Sequence, residues 1–522
     1  MLPHEYYLLT QHLTDTATPQ LRMLILGEGG VGKSMLIGAI TETFEYYMAT
    51  SLLAKCAASG VAASDIGAQT LHSLLGLNIR MPKEDNWLQR SGKSTQLKRM
   101  RNMGGKEFLI LDEISMVASD KVMLYQTSEI FGHVRAANAI GDPHLPFAGA
   151  SVVGTGDFHQ FPPVANVMGA LYCDRPETDS PRALLGQEVY KQFDTVVILE
   201  EQIRVKDEAW IEMLRRLRIG NCTDEDLQEV RKLILTNEEC QAPDFSKKPW
   251  SDAILITPRH SVRERWNEAA IAKHCEETGN RRYIVNSEDR QTKTEDEISL
   301  NIRVKIAAMD DHGSGKLDHR MEIAVGMKTM ITLNISTEAG IANGTRGIIT
   351  DIILDPREPV TLPDDEGAIH LKYPPAMVLF KPDRGTTARF QGIDPGVVPI
   401  TPSTTTFTVT LDNKKKFGVK RRQLPITAGY AFTDYKSQGQ TIEYVIIDIG
   451  KPPSGKISPF SIYVALSRSR GRDTIRLLRD FDDKLFTQHP SEDLRKEMLR
   501  LERLNEITKE KFEVQLYLAD AN

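Results

Sequence analysis

Cysteine is scarce in this sequence. Its 522 residues include only five, Cys56, Cys173, Cys222, Cys240 and Cys275. None forms a CxxC pair or has a histidine at ligand spacing, which excludes a disulfide framework and a cysteine-based zinc site and fits a reducing compartment. Long hydrophobic runs are missing too. No stretch approaches the ~20 apolar residues needed to span a bilayer, and the opening MLPHEYYLLTQHL lacks the basic region and cleavage-like end of a secretory signal. Nor is there an excess of basic charge. A formal net charge of −6 means that the molecule as a whole is not a basic nucleic-acid binder. A local basic groove stays open, because affinity for phosphates depends on where Lys and Arg lie.

The chain is too long for one ordinary core, and two to four domains are expected at roughly 100–200 residues each. Hydrophobic residues at 40% and charged residues at 26% place it among ordinary globular proteins. In the first ~200 residues, short apolar runs at 21–26, 108–111, 151–153 and 196–199 read as buried parallel strands. Helical patterns lie between them; Leu36, Ile37, Ile40 and Phe44 recur at helical spacing. The expected product is an α/β layer structure with ligands at the carboxyl ends of its strands. A second α/β unit is expected after Arg204, with a helix at 210–217 and strands at 253–257, 445–449 and 475–478. Residues 335–425, rich in Gly, Pro, Thr and Val, read as a small β insertion. The segment from Ser491 to about Phe512 reads as a charged helix with Leu494, Met498, Leu501 and Leu504 on one side.

Residues 27–34, GEGGVGKS, satisfy GxxxxGK[ST] between a strand and a helix. Gly27, Gly29, Gly30, Val31 and Gly32 would turn backbone N–H groups toward phosphates, Lys33 would reach the β- and γ-phosphates, and the Ser34 hydroxyl would ligate Mg²⁺. The same glycines match the dinucleotide pattern GxGxxG. That reading needs an acidic residue at the end of the next strand, about 51–57, which has none, and it leaves Lys33 and Ser34 unexplained. Asp112 and Glu113 follow the apolar run 108–111. A lone pair of this kind is usually a solvated strand end; beside a phosphate loop, Asp112 would hold Mg²⁺ and Glu113 would orient or deprotonate water. In GDFHQFPPV, Gln160 at a carboxyl edge would sense the γ-phosphate.

Together with AASGVAASDIGAQTLHSLLG (57–76), LILDEISMV (109–117), VGMKTMITLN (325–334), NGTRG (343–347), TDYKSQGQT (433–441) and YVALSRSRGRD (463–473), these segments resemble the petite-integration-frequency family of DNA helicases. Their order and spacing hold from about residue 20 to residue 480. Within the family, QLRMLILGEGG and LPFAGASVVGTGDFHQFPPV look most like the helicases of Helitron-type transposons. The resemblance implies an α/β fold of two RecA-like P-loop domains in tandem with ATP between them. Their bounds would be 1–205, with a wedge-like insertion at 77–106, and 206–480, with the β-rich insertion at 335–425; residues 481–522 would be a helical extension. It also implies an ATP-dependent DNA helicase that moves 5′-to-3′ on single-stranded DNA. Its partners would be ATP with Mg²⁺, single-stranded DNA and duplex junctions, with no membrane; residence would be intracellular and nuclear, and the oligomeric state stays open, a monomer being compatible.

Carried over position by position, Lys33, Ser34, Asp112, Glu113 and Gln160 keep the roles above. Arg204 in LEEQIRV resembles the arginine that reaches the γ-phosphate, and Arg468 in ALSRS the arginine finger; guanidinium groups suit charge on a transferring phosphoryl. Gly439 would lie against the nucleotide. Thr70 and His72 resemble strand-backbone contacts of the first domain, Lys436 and Ser437 those of the second, and such groups hold phosphates without reading bases. Basic clusters at Lys93, Lys98, Arg99 and Arg101, and at 414–416 with 420–422, are either solvated faces or DNA-facing. Trp87 is either a core residue or a base-stacking one. The chain departs from the family in three ways. No upstream glutamine matches the adenine-reading one, Gln11 aligning with the helix after it; Val31 replaces Thr; and Ala58 and Tyr435 replace Pro and His. Tyr435 lies where ATP and DNA sites communicate, so coupling is the property it would weaken. Two other readings stand beside the helicase: a weakened, transposon-derived protein that binds DNA or nucleotide without unwinding, and a P-loop NTPase acting on protein or RNA.

Overall fold

The computed structural model describes residues 19–77, 91–117, 121–163, 167–337 except 308–316, 339–411 except 387, 416–452 and 457–520, without the side chains of 307 and 515–520. Trp87, Gln11 and most of the 77–90 stretch lie outside the described residues. The chain divides into two compact units. One is formed by the chain up to Trp250 together with the chain from Ser437 onward, the other by Ser251–Lys436.

The first unit is built on a six-stranded sheet of β1 (Arg22–Gly27), β2 (Leu53–Ala57), β3 (Gln69–Thr70), β4 (Phe108–Asp112), β5 (Ser151–Gly156) and β6 (Thr195–Leu199). Its order is β3-β2-β4-β5-β1-β6, with every pairing parallel. Strands buried on both faces need continuous apolar runs, and β4 and β5 are buried at every position. One face packs Leu36, Ile37, Ile40 and Phe44 of helix α1 (Lys33–Tyr46) against Met23, Ile25 and Ile110. Phe44 meets Phe108 edge-on at 5.0 Å between ring centroids, and full burial of each such side chain contributes roughly 1.5–3 kcal/mol. The opposite face packs Met123, Ile130 and Phe131, from the helix Val122–Ala137, against Leu24, Leu109 and Val152.

The expected C-terminal helix spans Glu492–Asp520, and its apolar stripe does not face solvent. Leu494 and Leu501 are buried in this same core, with Met498 and Leu504 packed against it. The helix also covers β6, the last strand of the sheet. The backbone N–H groups of Val196 and Ile198 donate to Thr508 Oγ1 and Asn505 Oδ1, each at 3.0 Å. Residues three apart share a helix face, so one face meets two successive outward N–H groups of the strand.

After β6 the chain forms a helix over Glu208–Arg218, capped by Asp207, whose carboxylate accepts from Trp210 N. The strands Val445–Ile447 and Ile475–Leu477 pair in parallel within this unit. In the second unit, Ile254–Ile256 and Ala431–Phe432 form another parallel pair. Its remaining sheets carry mostly antiparallel strands. They begin with Arg282–Asn286, ahead of the 335–425 stretch, and Val285, Met321 and Ile323 share one core with Phe380 and Val398.

Candidate nucleotide site and strand contacts

The phosphate loop runs from the end of β1 to the first turn of α1. Gly30 and Gly32 hold φ values of 103° and 90°, a region that only glycine enters without strain. Space is equally short. A Cβ on Gly27 would meet Val31 Cγ2 at 2.6 Å, and one on Gly30 would meet Gln202 Oε1 at 2.3 Å. Val31 is thus a buried packing residue of the loop. The segment after β6 lies across the loop: Ile203 N and Arg204 N both donate to Gly30 O, at 3.0 and 3.2 Å, and Gln202 Nε2 donates to Gly29 O at 3.2 Å. Lys33 Nζ donates to Gly27 O and Glu28 O at 2.7 and 2.8 Å. Burial lowers its pKa, while Asp157, Glu113 and Asp112 oppose that shift. Ser34 is exposed in the first turn of α1.

Asp112 ends β4. Its Oδ1 accepts from Thr155 Oγ1 and from Glu113 N, and burial raises its pKa. Glu113 adopts φ 54°, unusual for a residue with a side chain. Burial, and then the neighbouring Asp112 charge, push Glu113 up to about 7, against Lys33 and Arg468. A carboxylate with such a pKa is suited to take a proton near neutrality. Its Oε2 accepts from Gln438 Nε2 at 3.2 Å.

Asp157 organises the next layer. Its Oδ1 accepts from Arg218 Nη2 at 2.7 Å, and its Oδ2 accepts from Gln160 Nε2 and Tyr463 Oη, both at 3.3 Å. Burial opposes its ionisation, but Arg218 and then other nearby positive charge hold it down at about 2.

Three nominated residues from distant segments converge on one point above the loop. A Cβ built on Gly29 would stand 3.0 Å from Arg468 Nη2, 3.4 Å from Arg204 Nη1 and 3.5 Å from Gln160 Nε2. Arg468 is fully buried and donates from Nε to Val464 O at 2.7 Å, from Nη1 to Gln440 O at 3.3 Å and from Nη2 to Ser467 Oγ at 2.8 Å. Arg204 donates to Thr441 Oγ1 at 2.9 Å and Ser467 O at 3.1 Å. Both guanidiniums are therefore anchored on the same turn around Ser467. Gly439, at φ 76°, sits beside Asp65, whose Oδ2 would be 3.6 Å from a Cβ there.

Among the nominated strand contacts, Thr70 caps the helix Leu71–Leu75, its Oγ1 accepting from Ser73 N at 3.3 Å. His72 is half-buried, and burial lowers its pKa. Lys98 Nζ reaches Ser73 Oγ at 3.4 Å, which brings an exposed cation to the same segment. Lys93 and Arg101 are also exposed, but Arg99 turns inward and donates to Leu75 O at 2.8 Å. Lys436 and Ser437 end the short helix Asp434–Ser437, where Lys436 is half-buried and Ser437 fully buried. Tyr435 beside them is 52% exposed.

In the second basic cluster Lys414 and Lys415 lie outside the described residues, and Lys420, Arg421 and Arg422 are paired with Glu295, Asp289 and Glu288 at 2.7, 2.7 and 3.0 Å. Arg421 is buried and also donates to Leu317 O. Sequence reasoning missed Arg218, Tyr463, Gln202 and Gln438. Gln438 lay in a quoted motif; Arg218 sits in a helix whose charges carry no local signal.

A family model described as PIF1-like helicase matches residues 12–227. The ATP-dependent DNA helicase Pif1 of Bdellovibrio bacteriovorus is 25% identical over 457 residues, 87% of this chain and 84% of that protein. The ATP-dependent DNA helicase PIF1 of Xenopus laevis is longer; it is 24% identical over 501 residues, which is 94% of this chain and 64% of that one. Among solved structures, the Pif1 helicase of Candida albicans matches with a TM-score of 0.67 at 22% identity, covering 96% of this chain and 99% of that one. Bacteroides Pif1 in complex with ADP-AlF3 and single-stranded DNA matches with a TM-score of 0.60 at 20% identity, covering 96% and 97%. The chain thus carries the PIF1-like helicase sequence pattern over residues 12–227 and the Pif1 fold over nearly its whole length, so that the resemblance read from its motifs is that of a PIF1-like helicase.

Proposed function

We propose that this chain is an ATP-dependent DNA helicase that moves 5′-to-3′ on single-stranded DNA. The observation that carries the reading is the convergence of Arg204, Arg468 and Gln160 over Gly29, in the unit that also holds Lys33, Asp112 and Glu113. Phosphoryl transfer asks a protein mainly for positioning and for neutralisation of charge. Lys33 and the loop N–H groups hold the phosphates, the two arginines meet the γ-phosphoryl, and Gln160 lies beside them. Glu113 takes the proton of the attacking water.

Ser34 and Asp112 would hold Mg²⁺. Among the described residues no group of three or more His, Cys, Asp or Glu is assembled to hold a metal. A hydroxyl and one carboxylate fit instead a cation that keeps phosphate oxygens and water in its shell. Bound there, Mg²⁺ would neutralise charge developing on the phosphates.

In this reading Thr70, His72 and Lys436 meet the strand backbone, Ser437 is too deeply buried to join them, and Gly439 borders the nucleotide. The domains divide near 205 and 480, with insertions at 77–106 and 335–425, and hydrolysis steps the protein along one strand toward duplex junctions. Nuclear residence belongs to the same reading. No helix of the described residues is long and apolar enough to cross a membrane.

The test is the ATPase rate of the purified chain with and without oligothymidylate, beside Lys33→Ala, followed by unwinding of 5′- and 3′-tailed duplexes. Stimulated hydrolysis lost in Lys33→Ala and unwinding of the 5′-tailed duplex are expected. Hydrolysis absent in both conditions would sink the proposal in favour of a binding protein without unwinding activity. Hydrolysis indifferent to DNA would favour another NTPase.

A further inference from the structure

Gln438 touches the base of the reaction but has no role so far. It is 7% exposed, and its Nε2 donates to Glu113 Oε2 at 3.2 Å. The N–H side of the amide therefore faces the carboxylate, which accepts. The other end, Oε1, is buried without a hydrogen-bond partner among the described residues. An unpaired buried carbonyl oxygen costs free energy, and here it lies beside Glu113, where an incoming O–H donor would relieve that cost. The planar amide ties Oε1 close to Nε2, and so to Glu113. Two groups held together in this way can grip both O–H bonds of one water.

We propose that Gln438 is a positioning residue for hydrolysis, holding Glu113 with its N–H and the second O–H of the attacking water with its carbonyl. The inference rests on the helicase reading of the site. In the step, the water oxygen bonds to the γ-phosphorus while the bond from phosphorus to the β–γ bridging oxygen breaks. ADP leaves with that oxygen, phosphate is released, and the water proton passes to Glu113. Gln438 exchanges no proton; its contribution is aim.

Its place in the chain adds regulation. Gln438 lies two residues after Lys436, a proposed strand contact, so a shift of that backbone on binding DNA reaches Glu113 through one side chain. Coupling of hydrolysis to the strand then depends on this amide.

The test compares the full-length protein with Gln438→Met, which keeps side-chain length without the amide, and Gln438→Glu, which keeps an acceptor and loses the donor. With saturating oligothymidylate, both variants should lose about 10–100-fold in kcat, the scale set by misplacement of a reacting group, with KM for ATP and the Kd of a fluorescent ATP analogue within about twofold. Glu113→Gln combined with Gln438→Met should be no slower than Glu113→Gln alone, because both act on one water. A kcat within twofold of wild type, or losses that multiply in the double variant, overturns the inference while leaving the helicase reading intact. Should Gln438→Met fail to bind nucleotide, Gln438→Glu carries the same comparison. A wild-type chain without DNA-stimulated hydrolysis removes the reading and this inference together.

Discussion

Gly29 separates the architecture of the loop from its chemistry. Gly30 and Gly32 need glycine for their backbone angles, but Gly29 has no positive φ, so alanine fits its backbone. Replacing it should not destabilise the fold; fewer unfolded conformations add about 0.4–1 kcal/mol. The new methyl would, however, stand 3.0 Å from Arg468 Nη2 and 3.4 Å from Arg204 Nη1. Contact at these distances pushes a guanidinium by a few tenths of an ångström, and Arg468 is held by three hydrogen bonds that resist the shift. A misplacement of about 1 Å costs roughly 100-fold in rate, so a shift of a few tenths of an ångström in Gly29→Ala should lower DNA-stimulated kcat by about 3–10-fold. Its Tm should stay level or rise by ~1–3 °C. Gly30→Ala is the counterpart: at φ 103° and 2.3 Å from Gln202 Oε1, it should lower Tm. The assay pairs steady-state ATPase kinetics with thermal unfolding of both variants. A Gly29→Ala protein within twofold of wild-type kcat, or one that melts as early as Gly30→Ala, would refute the argument that the arginines act at this point.

Further outcomes are expected for the buried acid, the last helix and the basic clusters. Asp157 is held at about 2, below its ordinary 3.8. A depressed carboxylate contributes stability above the unfolded pKa and loses it as pH falls through the folded one, so about 2 kcal/mol should disappear between roughly pH 4 and pH 2. Arg218→Ala, which strands that buried charge, should cost about 3–5 kcal/mol at pH 7 by urea unfolding; a cost below 1 kcal/mol would show the pair to be incidental. Asn505→Ala with Thr508→Ala unpairs two N–H groups of β6 and should cost ~2–6 kcal/mol, at about 1–3 each, read by the same denaturation. Lys420→Ala should leave affinity for single-stranded DNA within about twofold, since Glu295 already neutralises it. Lys98→Ala should weaken binding and reduce the salt slope by about 0.7 in fluorescence anisotropy; the reverse ranking would relocate the strand.

The elements around the candidate nucleotide site were legible in the sequence because their signals are local. A buried parallel strand needs an apolar run, and 22–27, 108–112 and 195–199 are such runs. The loop between β1 and α1 is spelled by consecutive residues, as are Asp112 and Glu113. What escaped reading is non-local. Whether Lys420, Arg421 and Arg422 face a nucleic acid depends on acidic residues roughly 130 positions earlier: Asp289 and Glu288 stand in register opposite Arg421 and Arg422 on a neighbouring strand, and Glu295, just after that strand, takes Lys420. Arg99 looks like its neighbours Lys98 and Arg101, yet helical geometry turns it toward Leu75 O. The apolar stripe of the last helix was visible, but not which surface it would cover. Asn505 and Thr508 look like ordinary helix polars until their partners on β6 are known.

That helix has a consequence for biogenesis. Val196 and Thr508 are 312 positions apart. At about 5–20 residues per second of synthesis, the outer edge of the ATPase sheet therefore spends roughly 15–60 s on the ribosome with its outward N–H groups uncovered. An open strand edge is a template for pairing with another chain. The nascent protein thus has an interval in which a holdase can bind β6, and the interval closes when the 492–520 segment emerges and docks. A chain stopped before that segment would carry every group of the phosphate site and still present a sticky sheet.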